Sequence, residues 1–198
     1  MQTIELATHE MQTALEHAVY NITEGIGVRP SSVHNGRKRQ HRIGIDQAVG
    51  QVATAAYCKY QYGDIQQYQI TRFYRNQNPD RPDYGFDLGG LNVDVKGSFM
   101  RGSCNPRHYN LYAKPWDLRP DWIFVSVLIQ GYEDYSKWVE TPPIIYLTGY
   151  AMSEEMAQAE KWRGSYKLPV TELHPLPPIR YHHNERLDIG AHNRSYLL

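Results

Sequence analysis

The stretch Pro82-Asp83-Tyr84-Gly85-Phe86-Asp87-Leu88-Gly89-Gly90-Leu91-Asn92-Val93-Asp94-Val95-Lys96-Gly97-Ser98 carries carboxylates and an amine at alternating positions. With Gly89-Gly90 as the centre of a two-residue turn, 84–88 and 91–99 read as the strands of a hairpin. Leu88 then faces Leu91, Asp87 faces Asn92, Gly85 faces Asp94 and Asp83 faces Lys96. Strand side chains alternate, so Asp83, Asp87, Asp94, Lys96 and Ser98 share one face. Phe86, Leu88, Leu91, Val93 and Val95 form the opposite, apolar face. Asp87 and Asp94 are diagonal neighbours, about 7–8 Å apart at the backbone. That gap suits a Mg²⁺ ion between two carboxylates, with ligand distances of about 2.0–2.1 Å and Mn²⁺ as a substitute. Lys96 projects to the same place, where it can orient or help deprotonate a water and steady developing negative charge. Ser98 is placed to contact substrate or metal-bound water. This is the demand of phosphodiester hydrolysis, in which a metal lowers the pKa of a bound water and stabilises the attacked phosphorus. An Asp-x-Lys pair alone is more often a solvated strand face, so the hairpin context carries the reading.

The rest of the chain supplies elements to hold such a hairpin. Met11, Leu15, Ala18, Val19 and Ile22 recur at helical spacing, and Gly25 and Gly27 end that helix. A polar loop follows through Arg37, Lys38, Arg39 and Arg42, a basic run suited to phosphate contact. Asp46 is a candidate cap for a second helix reaching about residue 60. Its small residues Ala48, Gly50, Ala53, Ala55 and Ala56 allow close packing on a sheet. The stretch 65–74 alternates in part and reads as a strand, and Pro79 and Pro82 mark a turn-rich linker. The runs 122–129 and 144–150 read as buried strands, with a helix start at Ser153. Arg101, Arg107 and Lys114 follow the Asp94–Lys96 strand and are candidates for DNA-backbone contact. His182, His183 and His192 show no metal spacing. Strands mixed with helices indicate an α/β fold. Three segments are expected within one structural domain: an N-terminal helix and basic loop (1–42), a core (43–160) and an irregular C-terminal extension (161–198).

Asp94-Val95-Lys96, preceded by an acidic residue on the partner strand, resembles the PD-(D/E)xK nuclease superfamily. Two residues compete for the first acidic position, Asp83, which follows Pro82, and Asp87, which is favoured because it lies nearer the turn. Gly50-Gln51-Val52-Ala53 sits where many relatives carry a Gly-Glu pair that helps hold metal. Here Gln51 is neutral, and Asp46, about one turn earlier, is a candidate substitute. Asp121-Trp122-Ile123-Phe124-Val125 and Ile145-Tyr146-Leu147-Thr148-Gly149-Tyr150 resemble the later core strands, so the likeness covers roughly 43–156. The resemblance implies a restriction-endonuclease-like mixed central β-sheet flanked by helices. It also implies a Mg²⁺-dependent deoxyribonuclease, an endonuclease acting through a metal-activated water. Asp87 and Asp94 would bind metal, and Lys96 would position the water. DNA is the expected partner, with a homodimer or higher homo-oligomer for double-strand cutting. A restriction, phage-encoded or recombination enzyme suits the size. One rival is a nuclease-fold module that binds DNA or protein without cutting, which Gln51 favours. The other is an RNA-directed or structure-selective nuclease.

Composition is consistent with this. The 198 residues are 41% apolar and 21% charged, enough for a folded core. Lys plus Arg equal Asp plus Glu at 21 each, which argues against a bulk electrostatic coat for nucleic acid. Sixteen Tyr and four Trp suit a core, or surfaces that stack on bases. Cys58 and Cys104 belong to no CxxC pattern, so a reducing compartment is expected. The N-terminus lacks a signal-peptide pattern, and the longest apolar run, 123–129, is too short for a bilayer. A soluble, cytoplasmic protein with no membrane association is expected.

Overall fold

In a computed structural model, the described residues are 1–26, 37–77, 88, 92–102 and 104–176, with the side chains of 37–42 and 73–77 left aside. They form a mixed α/β protein of two sheets and four α-helices. The main sheet has the order β1-β5-β4-β2, built from β1 (Gln2–Ile4), β5 (Ile144–Met152), β4 (Ile123–Gln130) and β2 (Val93–Met100). β2 runs parallel to β4, whereas β4 with β5 and β5 with β1 are antiparallel. A parallel neighbour demands a long crossover. Here it carries β3 (Asn110–Ala113), which joins β7 (Ser165–Pro169) and β6 (Glu160–Trp162) in a small antiparallel sheet.

The main sheet is buried on both faces, and strand alternation distributes its side chains. Val125, Val127 and Ile129 of β4 join Val93 and Val95 of β2 in a large apolar cluster with α1 (Thr8–Thr23) and α2 (Arg37–Tyr62). Phe124 points the other way, into a smaller cluster with Leu111, Ala113, Ala151 and Met156 beneath the small sheet. Met156 comes from α4 (Ser153–Gln158). Leu88 is fully buried among the helix-side apolar residues.

Helix α1 buries Met11, Ala14, Leu15 and Ala18, one stripe at helical spacing. The Glu10 carboxylate accepts from the Ala7 N–H at its start (2.7 Å) and pairs with Lys59 of α2 (2.6 Å). Gly25 (φ 68°) ends it in the left-handed region, with Ile26 N–H donating back to the Asn21 carbonyl (2.8 Å). α2 is the central helix, buried nearly all round from Ala48 to Cys58. It lies so close to β2 that a Cβ on Gly97 would sit 2.9 Å from both Cγ1 and the carbonyl oxygen of Val49, and 3.0 Å from Ala53 Cβ. The small residues of the helix permit this approach.

Several elements differ from the sequence expectation. The stretch expected as a strand at 65–74 lies in α3 (Gln66–Gln77). Gly63 (φ 84°) closes α2, the Asp64 carboxylate accepts from Gln66 N–H (2.9 Å), and Ile65, Tyr68 and Arg72 are buried at helical spacing. α2 starts at Arg37 rather than near Asp46, so the basic run expected in a loop forms its first turns. The segment after Trp162, expected to be irregular, forms β7 and a 3₁₀ turn at Val170–Glu172 before the described residues end at Leu176. The expected strand at 84–88 and the Gly89-Gly90 turn lie outside the described residues, Leu88 excepted. No helix among the described residues is long and apolar enough to cross a membrane.

Candidate active site

Asp94 and Lys96 project from the β2 face opposite α2, as alternation requires, since Val93, Val95 and Gly97 face the helix side. Lys96 Nζ lies 2.7 Å from Asp94 Oδ2 and 2.8 Å from Asp117 Oδ2. It also sits 5.8 Å above the ring of Phe124, the residue paired with Asp94 across the β2–β4 ladder. The ammonium is therefore clamped between two carboxylates over an aromatic floor. Burial by itself would lower the Lys96 pKa, but the adjoining Asp94 and Asp117 charges outweigh it and hold the amine above its ordinary value. So placed, Lys96 is a proton-bearing donor. It can orient a water and steady negative charge, but a role in taking the water's proton does not fit this state.

Asp117 was not among the residues the sequence pointed to. It arrives through a tight turn after β3, in which Asp117 N–H donates to the Lys114 carbonyl (2.9 Å) and Pro115 holds the second position. The Asp117 carboxylate also accepts from Lys114 N–H (3.3 Å), so the turn fixes the side chain that reaches Lys96. A Pro-containing turn ending in Asp, just past a short strand, is the only local signal of it.

The other candidates fall elsewhere. Asp83 and Asp87 lie outside the described residues. Gln51 is two residues from both Val49 and Ala53, about 200° around the helix from the side that meets β2. Its Oε1 accepts from the Tyr68 hydroxyl (3.0 Å), which also lies 3.1 Å from His17 Nδ1. Gln51 thus belongs to a polar contact among α1, α2 and α3, not to the Asp94–Lys96 group. Asp46 is exposed in the N-terminal half of α2. That end lies by the C-terminal ends of β2 and β4, because Gly44 backs onto Tyr135 just beyond β4 and Phe99 stacks on Trp138 there (6.2 Å). Asp94 is at the opposite end of β2. Ser98 shares the Lys96 face, one pair of residues further along.

Among the expected DNA contacts, Arg37, Lys38, Arg39 and Arg42 lie on the first turns of α2, with their side chains outside the described residues. Arg101 is exposed and engages Glu133 (3.1 Å). Lys114 lies over the ring of Trp116 (5.8 Å), one residue from Asp117. Arg107 sits in the 3₁₀ turn Pro106–His108, its N–H capped by Asn105 Oδ1 (3.0 Å).

Among the described residues no group of three His, Cys, Asp or Glu side chains is placed to hold a metal ion. Two carboxylates nevertheless converge on one cationic position. Mg²⁺ is commonly held by one or two carboxylates while keeping several waters, so Asp94 and Asp117 fit as its protein ligands or neighbours.

No known family profile, curated protein or solved structure matches this chain.

Proposed function

We propose that the chain is a Mg²⁺-dependent deoxyribonuclease of the PD-(D/E)xK type that hydrolyses phosphodiester bonds as an endonuclease. The observation that carries the reading is the convergence of Asp94, Lys96 and Asp117 on one point of the strand face that the alternating sequence singles out. Asp94, with Asp87 as the second acidic residue of the hairpin, would hold the cation. When bound, the metal supplies a water of lowered pKa and a positive charge at the scissile phosphate. Lys96 donates to the attacking water or to a phosphate oxygen and so stabilises charge that grows in the transition state. Asp117 keeps that ammonium aimed when Asp94 turns to the cation. Cutting both strands of a duplex calls for two such sites, hence a homodimer or higher assembly.

The test is nicking of supercoiled plasmid by the purified full chain, with Mg²⁺ or Mn²⁺ and with EDTA. Metal-dependent cleavage that disappears in Lys96→Ala and Asp94→Ala is expected. A wild-type protein inert on duplex, branched and single-stranded DNA and on RNA would sink the reading. Binding without cutting would then favour the non-catalytic module, to which the placement of neutral Gln51 with Tyr68 lends support. Cleavage confined to RNA or branched DNA would replace the substrate but keep the chemistry.

A further inference from the structure

The outer face of the small sheet presents aromatic rings and cations that the hydrolytic site does not use. Tyr112 pairs with Lys167, and Lys167 pairs with Glu160, so these three project from one face. Trp162, two residues past Glu160, shares it. The opposite face carries Leu111, Ala113 and Leu168 down to the apolar cluster around Phe124. On the outer face the rings of Tyr112 and Trp162 stand 5.6 Å apart, and Trp162 is 41% exposed. Lys167 neutralises Glu160 (2.9 Å), which leaves the remaining charge positive.

The turn between β6 and β7 adds a second, independent observation. Trp162 and Ser165 are paired, so Arg163 and Gly164 are the two central residues, with φ of 47° and 76°. Positive φ at both positions is the type I′ arrangement, for which Asn, Asp or Gly is the favoured first residue. An Arg there adopts a conformation that L side chains disfavour. Its guanidinium is stacked 4.6 Å over the exposed Trp162 ring. Backbone strain at an exposed residue with a defined side-chain placement suggests a task for that side chain.

We infer that this face binds single-stranded nucleic acid, with bases stacking on Tyr112, Trp162 and the Arg163 guanidinium. Rings lying on a surface can stack only on bases whose faces are open, which excludes a paired duplex and suits an unpaired stretch. Arg163 lies against Trp162, and Lys114, over the ring of Trp116, follows Tyr112 by two residues; both cations match a phosphate backbone. The track has a direction: β3 ends one residue past Tyr112, and the turn that follows carries Lys114, the 58%-exposed Trp116 and Asp117, which holds Lys96. The inference goes beyond the nuclease reading by adding an unpaired stretch, beside the duplex that is cut, to what the protein holds, and it rests on that reading for where the strand leads.

The experiment is fluorescence anisotropy of labelled oligonucleotides of about twelve nucleotides, single-stranded and duplex, with the full chain in EDTA, so that nothing is cut. Trp162→Ala is expected to weaken single-strand binding about tenfold, Trp162→Phe to retain most of it, and duplex binding to change by less than about twofold. Arg163→Asn creates the favoured turn residue. It should raise the urea midpoint while lowering single-strand affinity, so its loss of binding cannot come from unfolding. Unchanged single-strand affinity in both Trp162→Ala and Arg163→Asn, or an equal loss on duplex, overturns the inference. The two readings fail separately. A protein that cuts nothing but binds single strands through Trp162 loses the nuclease reading and keeps this surface, whereas one that cuts with Mg²⁺ and ignores Trp162 does the reverse.

Discussion

Gly97→Ala should be among the most damaging one-carbon changes in the molecule. Its new Cβ would meet Val49 Cγ1 and Val49 O at 2.9 Å and Ala53 Cβ at 3.0 Å. Carbon atoms pack favourably at about 3.5–4.0 Å, so α2 must retreat from β2 by half an ångström or more. A flexible side-chain end could yield cheaply, but one obstacle is the backbone carbonyl of a buried helix. Retreat also thins the contacts of Val93, Val95 and Val52 around it, because a gap of 0.5–1 Å forfeits roughly a quarter to a half of each contact's well depth. Overpacking costs about 1–3 kcal/mol, and the rigid obstacle puts this case at about 2–3 kcal/mol. That is a large share of a stability of about 5–15 kcal/mol. Urea unfolding followed by far-UV circular dichroism reads it as a lower midpoint at unchanged slope. Gly50→Ala, in the same helix but with nothing within 4 Å of its new Cβ, is the control and should gain about 0.5–1 kcal/mol. A loss under about 0.5 kcal/mol in Gly97→Ala would refute the argument. So would full recovery on adding Val49→Ala, since that change leaves the carbonyl in place.

Two further outcomes are expected. Asp117→Asn removes one charge-assisted partner of Lys96, a contact of about 1.5–3 kcal/mol, so single-turnover cleavage should fall about tenfold or more. Mn²⁺ affinity should fall less than in Asp94→Asn, and equal metal affinity losses in the two variants would show Asp117 to be a ligand rather than a support for Lys96. Stability should fall with acid over two pH ranges. Burial, and then the charge of Arg72, hold the His17 pKa below 6.5, so the stability that depends on neutral His17 is full above about pH 6.5 and drains as pH falls below it. The hydrogen bond from His174, and then that from Met152 N–H, depress the Glu155 pKa below 4.5, so its contribution is full above that value and is lost as pH falls through the lowered one. Urea midpoints across pH should lose the first fall in His17→Gln and shrink the second in Glu155→Gln. Unchanged profiles would contradict both assignments.

Parts of this arrangement were open to reading from the chain alone. The period-two pattern of Val93-Asp94-Val95-Lys96 places acid and amine on one strand face and the valines on the other, because pleating leaves no alternative once a strand forms. Asp117 was hidden because its nearness to Lys96 arises only when the crossover doubles back at Pro115. Gln51 was misjudged for a related reason. A helix buried nearly all round gives no apolar stripe from which to tell its sheet-facing side. At 65–74 a few alternating apolar residues fit both periods, and the Asp64 cap after Gly63 was the deciding local signal.

The pairing of β1 with β5 joins Gln2–Ile4 to residues 145–147, more than 140 positions away in sequence. This strand therefore finds its place only after the whole of the intervening chain is available to fold. Contacts so distant in sequence slow the final closure. They also make Gln2–Ile4 part of the finished wall, the edge strand of the main sheet beside β5.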